Sequence, residues 1–141
     1  ELVTSQDLAG GGTNLSPFKE IFRYEVGSSL FYRQVVGNIA IFIPLGYFAS
    51  RYCKIKDLLS IFLVTLLSSG VIETVQYFIG RCFDIDDIIL NIVGGVFGFL
   101  LYIALSAINK HLPKVLQKDW FYNLLCIGII AFLVICVLRI Y

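Results

Sequence analysis

Residues 58–108 read LLSIFLVTLLSSGVIETVQYFIGRCFDIDDIILNIVGGVFGFLLYIALSAI. Two apolar stretches, 58–79 and 88–108, flank a short polar turn that holds Arg81, Asp84, Asp86 and Asp87. Each is long enough for the roughly 20 helical residues that cross a hydrocarbon core. The pair therefore reads as a helical hairpin through a bilayer.

Moving outward, two more stretches fit the same reading. Residues 34–50 are the shortest and most interrupted, with Asn38 and Pro44 inside. Pro44 is expected to kink that helix and free the Ala40 carbonyl for a neighbour. Residues 120–140 are almost uniformly apolar, with Trp120, Tyr122 and Tyr141 placed as interfacial anchors. Apolar segments this long also occur as buried helices of soluble proteins. Here hydrophobic residues make up 58% of the chain and charged residues 15%, so too little polar sequence remains for a wet surface. The expected fold is an all-α integral membrane bundle of about four transmembrane helices, occupying 34–141.

A chain of 141 residues has room for one compact unit. Its net charge of +1 supplies no field that would recruit nucleic acid. The cysteines Cys53, Cys82, Cys126 and Cys136 match neither zinc nor CxxC spacing and read as structural.

Orientation follows from the basic residues. Arg51, Lys54 and Lys56 follow the first stretch, and Lys110, Lys114 and Lys118 follow the third, so both loops fall on the cytoplasmic side. His111 reads as an interfacial residue of that side. The acidic turn between the second and third stretches then lies outside, together with residues 1–33. The chain starts at Glu1 and contains no Met, so an upstream segment is expected. An outside N-terminus makes that segment a further span in preference to a cleaved signal peptide.

Residues 1–33 have two parts. Gly10, Gly11 and Gly12 suggest flexibility. Ser16 and Pro17 then suit the N-cap and first position of a helix. Phe18, Ile21, Phe22 and Glu25 follow at helical spacing, so an amphipathic segment would lie on the outer leaflet, with Lys19 and Arg23 toward phosphates. A short ordered loop is the alternative.

Polar residues inside the spans carry the functional signal, because a carboxylate there costs a few kcal/mol unless paired or hydrated. Ser69, Glu73, Gln76 and Gly80 share one face of the second span. Asp84, Asp87, Asn91, Gly94 and Gly98 recur at spacings of three and four in the third. Gly94 and Gly98 form a GxxxG pattern that admits a close helix neighbour, so the stripe points into protein and not lipid. Asn38 stands at similar depth in the first span. Three helices thus place Asn38, Glu73, Gln76, Asp84, Asp87 and Asn91 near one level, with Arg81 above them.

The run from Asn38 to Gly46, with Phe42, Pro44 and Gly46, resembles the first signature of the VanZ-like membrane proteins. Glu73, Gln76, Arg81, Asp84, Asp86, Asp87, Asn91 and the glycines after it resemble the second. Asn14, Leu15, Pro17 and Phe18 match the segment before those spans, although position 16 is serine where an aliphatic residue is commoner. The likeness covers 14–98. It implies a bacterial cell-envelope protein associated with lowered susceptibility to teicoplanin and related glycopeptides, with a span preceding this chain. It implies no mechanism.

Three readings of the polar cluster follow from its side chains. In the first, Asn38, Gln76, Arg81, Asp84 and Asn91 bind a ligand. Arg81, with Lys19 and Arg23, engages the phosphate of a membrane lipid or lipid-linked cell-wall precursor. Asp84 and Asp87, with Glu73, hold a divalent cation that bridges to it. In the second, Glu73 and Asp87 are catalytic: Glu73 carries a proton, and the Asp86 and Asp87 pair stays ionised, alone or on a metal. Against it, His111 is the one histidine and falls in a cytoplasmic loop, no serine sits in a nucleophile motif, and no cysteine has a charged neighbour at the site except Cys82 beside Arg81. In the third, Glu73 pairs with Arg81, Asn91 bonds Asn38 or Gln76, and the cluster only fixes packing. The GxxxG pattern joins helices within one chain or between two, so the oligomeric state is left open.

Overall fold

The computed structural model describes residues 13–19, 21–109, 111, 113–114 and 117–139. Gly10, Gly11, Gly12, Lys110 and Tyr141 lie outside the described residues.

The described residues open with a two-residue strand, β1 (Thr13–Asn14), then a turn and a 3₁₀ turn at Ile21–Arg23. The expected helix after Ser16 and Pro17 does not form; the segment is the ordered loop. Phe18 has a φ of +66°, which no right-handed helix accommodates. Tertiary bonds described below hold the segment in this shape.

Helix α1 (Ser29–Phe31) leads through a π-helical stretch (Tyr32–Val36) into α2 (Gly37–Tyr52). The helical run therefore starts five residues before the expected 34. Ser28 sets that start: it is extended, and its hydroxyl accepts the Phe31 N–H at 3.1 Å. The helix continues through Pro44.

Helix α3 (Leu58–Phe78) begins on Asp57, whose carboxylate accepts the Ser60 N–H at 2.7 Å. It stops at a left-handed glycine. Gly80 (φ +84°) donates its N–H to the Tyr77 carbonyl, and Arg81 donates to the Gln76 carbonyl. This is a Schellman ending. Gly80 is therefore the helix stop and no part of a polar face. The buried face of α3 runs instead through Ile61, Thr65, Ser69 and Glu73.

Strand β2 (Phe83–Asp84) opens α4 (Ile85–Asn109), and α5 (Asp119–Arg139) closes the chain. Helices α3 and α4 are long and apolar enough to cross a membrane. Their outward faces carry large apolar side chains, Leu67, Val71 and Phe78 on α3 and Phe97 and Leu100 on α4.

Helices α2 and α4 run parallel and touch backbone to backbone. A Cβ at Gly94 would overlap the Ile39 carbonyl, one at Gly98 the Ile43 carbonyl, and one at Gly46 the Gly95 carbonyl. The GxxxG pattern thus joins two helices of one chain. Antiparallel α3 bridges the pair, and its Thr65 side chain fills the space beside Gly95. Helix α5 packs through Tyr122 and Cys126 on Tyr47 of α2. Tyr122, expected at an interface, is 1% exposed and sits under the Arg51 guanidinium, 5.1 Å from its ring centroid. Arg51 also pairs with Asp119, which fixes the end of α2 against the start of α5. Of the cysteines, Cys126 is buried while Cys53 and Cys82 are exposed.

Candidate functional site

The polar residues gather where α3 turns into α4, and the N-terminal segment straps across them. β1 pairs in parallel with β2, Thr13 against Phe83 and Asn14 against Asp84. The Asn14 amide donates to Asp84 Oδ1 at 3.0 Å, and that oxygen also accepts the Asp86 N–H at 2.9 Å. Asp86 is 1% exposed and holds the strap: Oδ1 accepts the Phe18 N–H at 2.6 Å and Oδ2 the Ile21 N–H at 3.4 Å. Carboxylates in the first turn of α4 also face the positive end of its dipole.

Behind this layer lies Glu73, 1% exposed, whose Oε2 accepts the Asp84 backbone N–H at 3.2 Å. Asn38 of α2 donates its amide to Asp87 Oδ1. Asn91 lies one turn deeper and donates to Ser69 Oγ at 2.9 Å. The expected bonds from Asn91 to Asn38 or Gln76 are absent. Among the described residues no ion pair joins Glu73 and Arg81 either. Each asparagine instead meets the nearest acceptor across its own helix contact, Asp87 for α2–α4 and Ser69 for α3–α4.

A cavity of about 250 Å³ opens beside the cluster. Gln76, Arg81 and Cys82 line it from the end of α3 and its turn. Asp84, Asp86, Asp87 and Leu90 line it from α4, and Gln34 and Val35 from the helix before α2. Ile21 and Tyr24 of the strap form its remaining wall. Of the seven expected site residues, Gln76, Arg81, Asp84 and Asp87 meet on this cavity. Asn38 supports Asp87 from behind, while Glu73 and Asn91 stand outside the lining.

Among the described residues, no three His, Cys, Asp or Glu side chains converge to hold a metal ion. Asp84 Oδ1 and Asp87 Oδ1 are already taken by amide donors, the environment of an anchored carboxylate and not of an open cation shell.

Two contributors escape sequence reasoning. Asp86 reads as one more acidic residue of the turn, and nothing in its spacing marks it as the anchor of a distant segment. Tyr24 is not among the residues that recur at helical spacing in its segment, so that pattern does not single it out. The signal available for both was the joint presence of the Asn14–Phe18 pattern and the acidic run.

The family model for VanZ/LLP1 matches residues 2–108 of the chain. Protein VanZ of Enterococcus faecium is 33% identical over 127 residues, which cover 89% of this chain and 70% of that protein. No solved structure matches. The family match takes in the strap, the hairpin and the cavity they enclose, and with that relative it shows that the chain belongs to the VanZ/LLP1 family.

Proposed function

We propose that this chain is a multi-pass protein of the bacterial cell membrane that lowers susceptibility to glycopeptides of the teicoplanin type. It does so by engaging the phosphate-bearing head of a lipid or lipid-linked cell-wall precursor in the cavity under the strap. The helical run 29–52, α3, α4 and α5 are the four spans, and the acidic α3–α4 turn faces outward. The basic loops after α2 and α4 lie at the other end, where Arg51 meets Asp119.

One observation carries the reading. Arg81 is an exposed guanidinium on the cavity that makes no direct ion pair among the described residues, although its charge acts on Glu73 and Asp87. A planar donor fork of this kind suits two phosphate oxygens. Leu15, Phe18, Phe22 and Val26 of the strap are all exposed, which supports a cavity mouth at the bilayer surface. Within this reading Asn38 positions Asp87, Asp84 carries the strap, and Glu73 and Asn91 keep the helix ends in register.

The test is resistance itself. Arg81→Ala, expressed in a susceptible strain, should restore glycopeptide susceptibility while the protein accumulates normally. Unchanged resistance in Arg81→Ala and in Asp87→Asn would sink the reading. Envelope lipid composition is expected to stay the same with and without the protein; a newly modified lipid would favour catalysis.

A further inference from the structure

The cavity does not suit a bare phosphate. Three aspartates line it against one arginine, so its walls are net acidic. Asp84 and Asp86 are turned to Asn14 and to backbone N–H groups of the strap and of α4. Asp87 is different: Asn38 takes Oδ1, and its second oxygen has no partner among the described residues. The Gln76 side chain on the same wall has none either. Among the acceptors on the cavity wall are thus an Asp87 carboxylate oxygen and the Gln76 amide carbonyl, beside the Arg81 guanidinium, whose charge acts on Asp87 and Glu73. Among the described residues Arg81 is the one positive side chain lining the cavity whose charge acts on Asp87. A phosphate bound to Arg81 takes up that charge, so a ligand that expels water from this half-buried carboxylate must itself bring a cation or strong donors.

We propose, building on the headgroup reading above, that the cavity takes a phosphate ester carrying a primary ammonium, with the phosphate on Arg81 and the ammonium on Asp87 and Gln76. An ammonium supplies three N–H donors and a positive charge in one small group. A trimethylated amine supplies the charge without donors, and a glycerol head supplies weaker donors without charge. The volume, near 250 Å³, equals about eight waters at roughly 30 Å³ each, enough for a headgroup but not for its acyl chains as well. The chains stay in the bilayer beside the exposed apolar side chains of the strap.

Among the headgroups that offer this chemistry are ethanolamine and an aminoacyl (lysyl) ester of glycerol. Thermal unfolding of the purified protein is followed with lipids of identical short acyl chains: phosphatidylethanolamine, lysyl-phosphatidylglycerol, phosphatidylcholine and phosphatidylglycerol. At least one ammonium lipid should bind about tenfold tighter than phosphatidylcholine, the worth of one charge-assisted hydrogen bond. Which of the two it is names the source. Asp87→Asn should remove that advantage, and Arg81→Ala should weaken every phosphate lipid alike. Equal binding of all four lipids overturns the ammonium assignment and leaves the headgroup reading standing. Binding of none overturns both. An ammonium preference that survives Asp87→Asn overturns the role of Asp87. The preference of the unsubstituted protein needs no variant, so misfolding of either variant does not shelter the proposal.

Discussion

Asp86 shows how far a single side chain organises this protein. Its two oxygens accept the N–H groups of Phe18 and Ile21, residues 68 and 65 positions away in the chain. Removing the carboxylate leaves both donors without that acceptor beside a buried position. Asp86→Ala should therefore cost about 2 kcal/mol and loosen the strap before the bundle. Hydrogen exchange at the Phe18 and Ile21 amides should accelerate while α4 stays protected; unchanged exchange would mean that the strand pairing alone holds the strap. Little of this was legible in the sequence. The acidic residues announce a site because carboxylates near a span demand a reason, but spacing along one helix does not tell which of three adjacent carboxylates turns inward. That choice is made by where the strap returns, a contact between segments far apart in sequence.

At the scale of elements the sequence is far more informative. The bounds of α3, α4 and α5 fall within three residues of those read from apolarity, because a long apolar run and a polar turn are both written locally. The first helix starts before residue 34 because its start is set by the Ser28 cap and not by where the apolar stretch begins. The glycines of α4 were legible as a packing device but not as to partner. The partner is Gly46 and its neighbours, so the Phe42, Pro44 and Gly46 pattern is at least a packing motif. Gly98→Leu should cost about 3 kcal/mol or prevent assembly, since the new side chain meets backbone that cannot yield. Unfolding in mixed micelles would show it, and a stability unaffected by the change would mean that α2 and α4 are not in backbone contact. The α3 cap makes a pH prediction. The Ser60 hydroxyl and backbone N–H beside Asp57 hold its carboxyl below the usual aspartate range. A depressed folded-state value gives stability that is complete at neutral pH and fades as pH falls below the ordinary value of 3.8. Asp57→Ala should thus lower Tm at pH 7, with the gap closing in acid, while Asp57→Asn, which caps without charge, should show no such pH dependence. A gap that persists in acid would show that the charged cap is not the cause.

For the whole molecule, the proposed arrangement has two chemically distinct ends. The acidic α3–α4 turn, the strap and the cavity occupy one; the Arg51–Asp119 contact and the basic loops occupy the other. In the proposed topology, alternation of four spans puts these ends on opposite sides of a bilayer, with the end rich in lysine and arginine in the cytoplasm. Two native thiols report on this directly. Cys82 is exposed on the cavity, and Cys53 is exposed just past the end of α2. With the other cysteines replaced by alanine, a membrane-impermeant maleimide added to intact cells should label Cys82 and leave Cys53 unmodified until the membrane is opened. Labelling of Cys53 first would invert the topology and place the cavity in the cytoplasm, where a surface-acting antibiotic does not meet it. Equal labelling of both in intact cells would break the alternation of spans on which the outward-facing cavity depends. A filled cavity should also shield Cys82, so slower labelling in membranes rich in an ammonium-bearing lipid would tie the orientation of the molecule to the chemistry of its site.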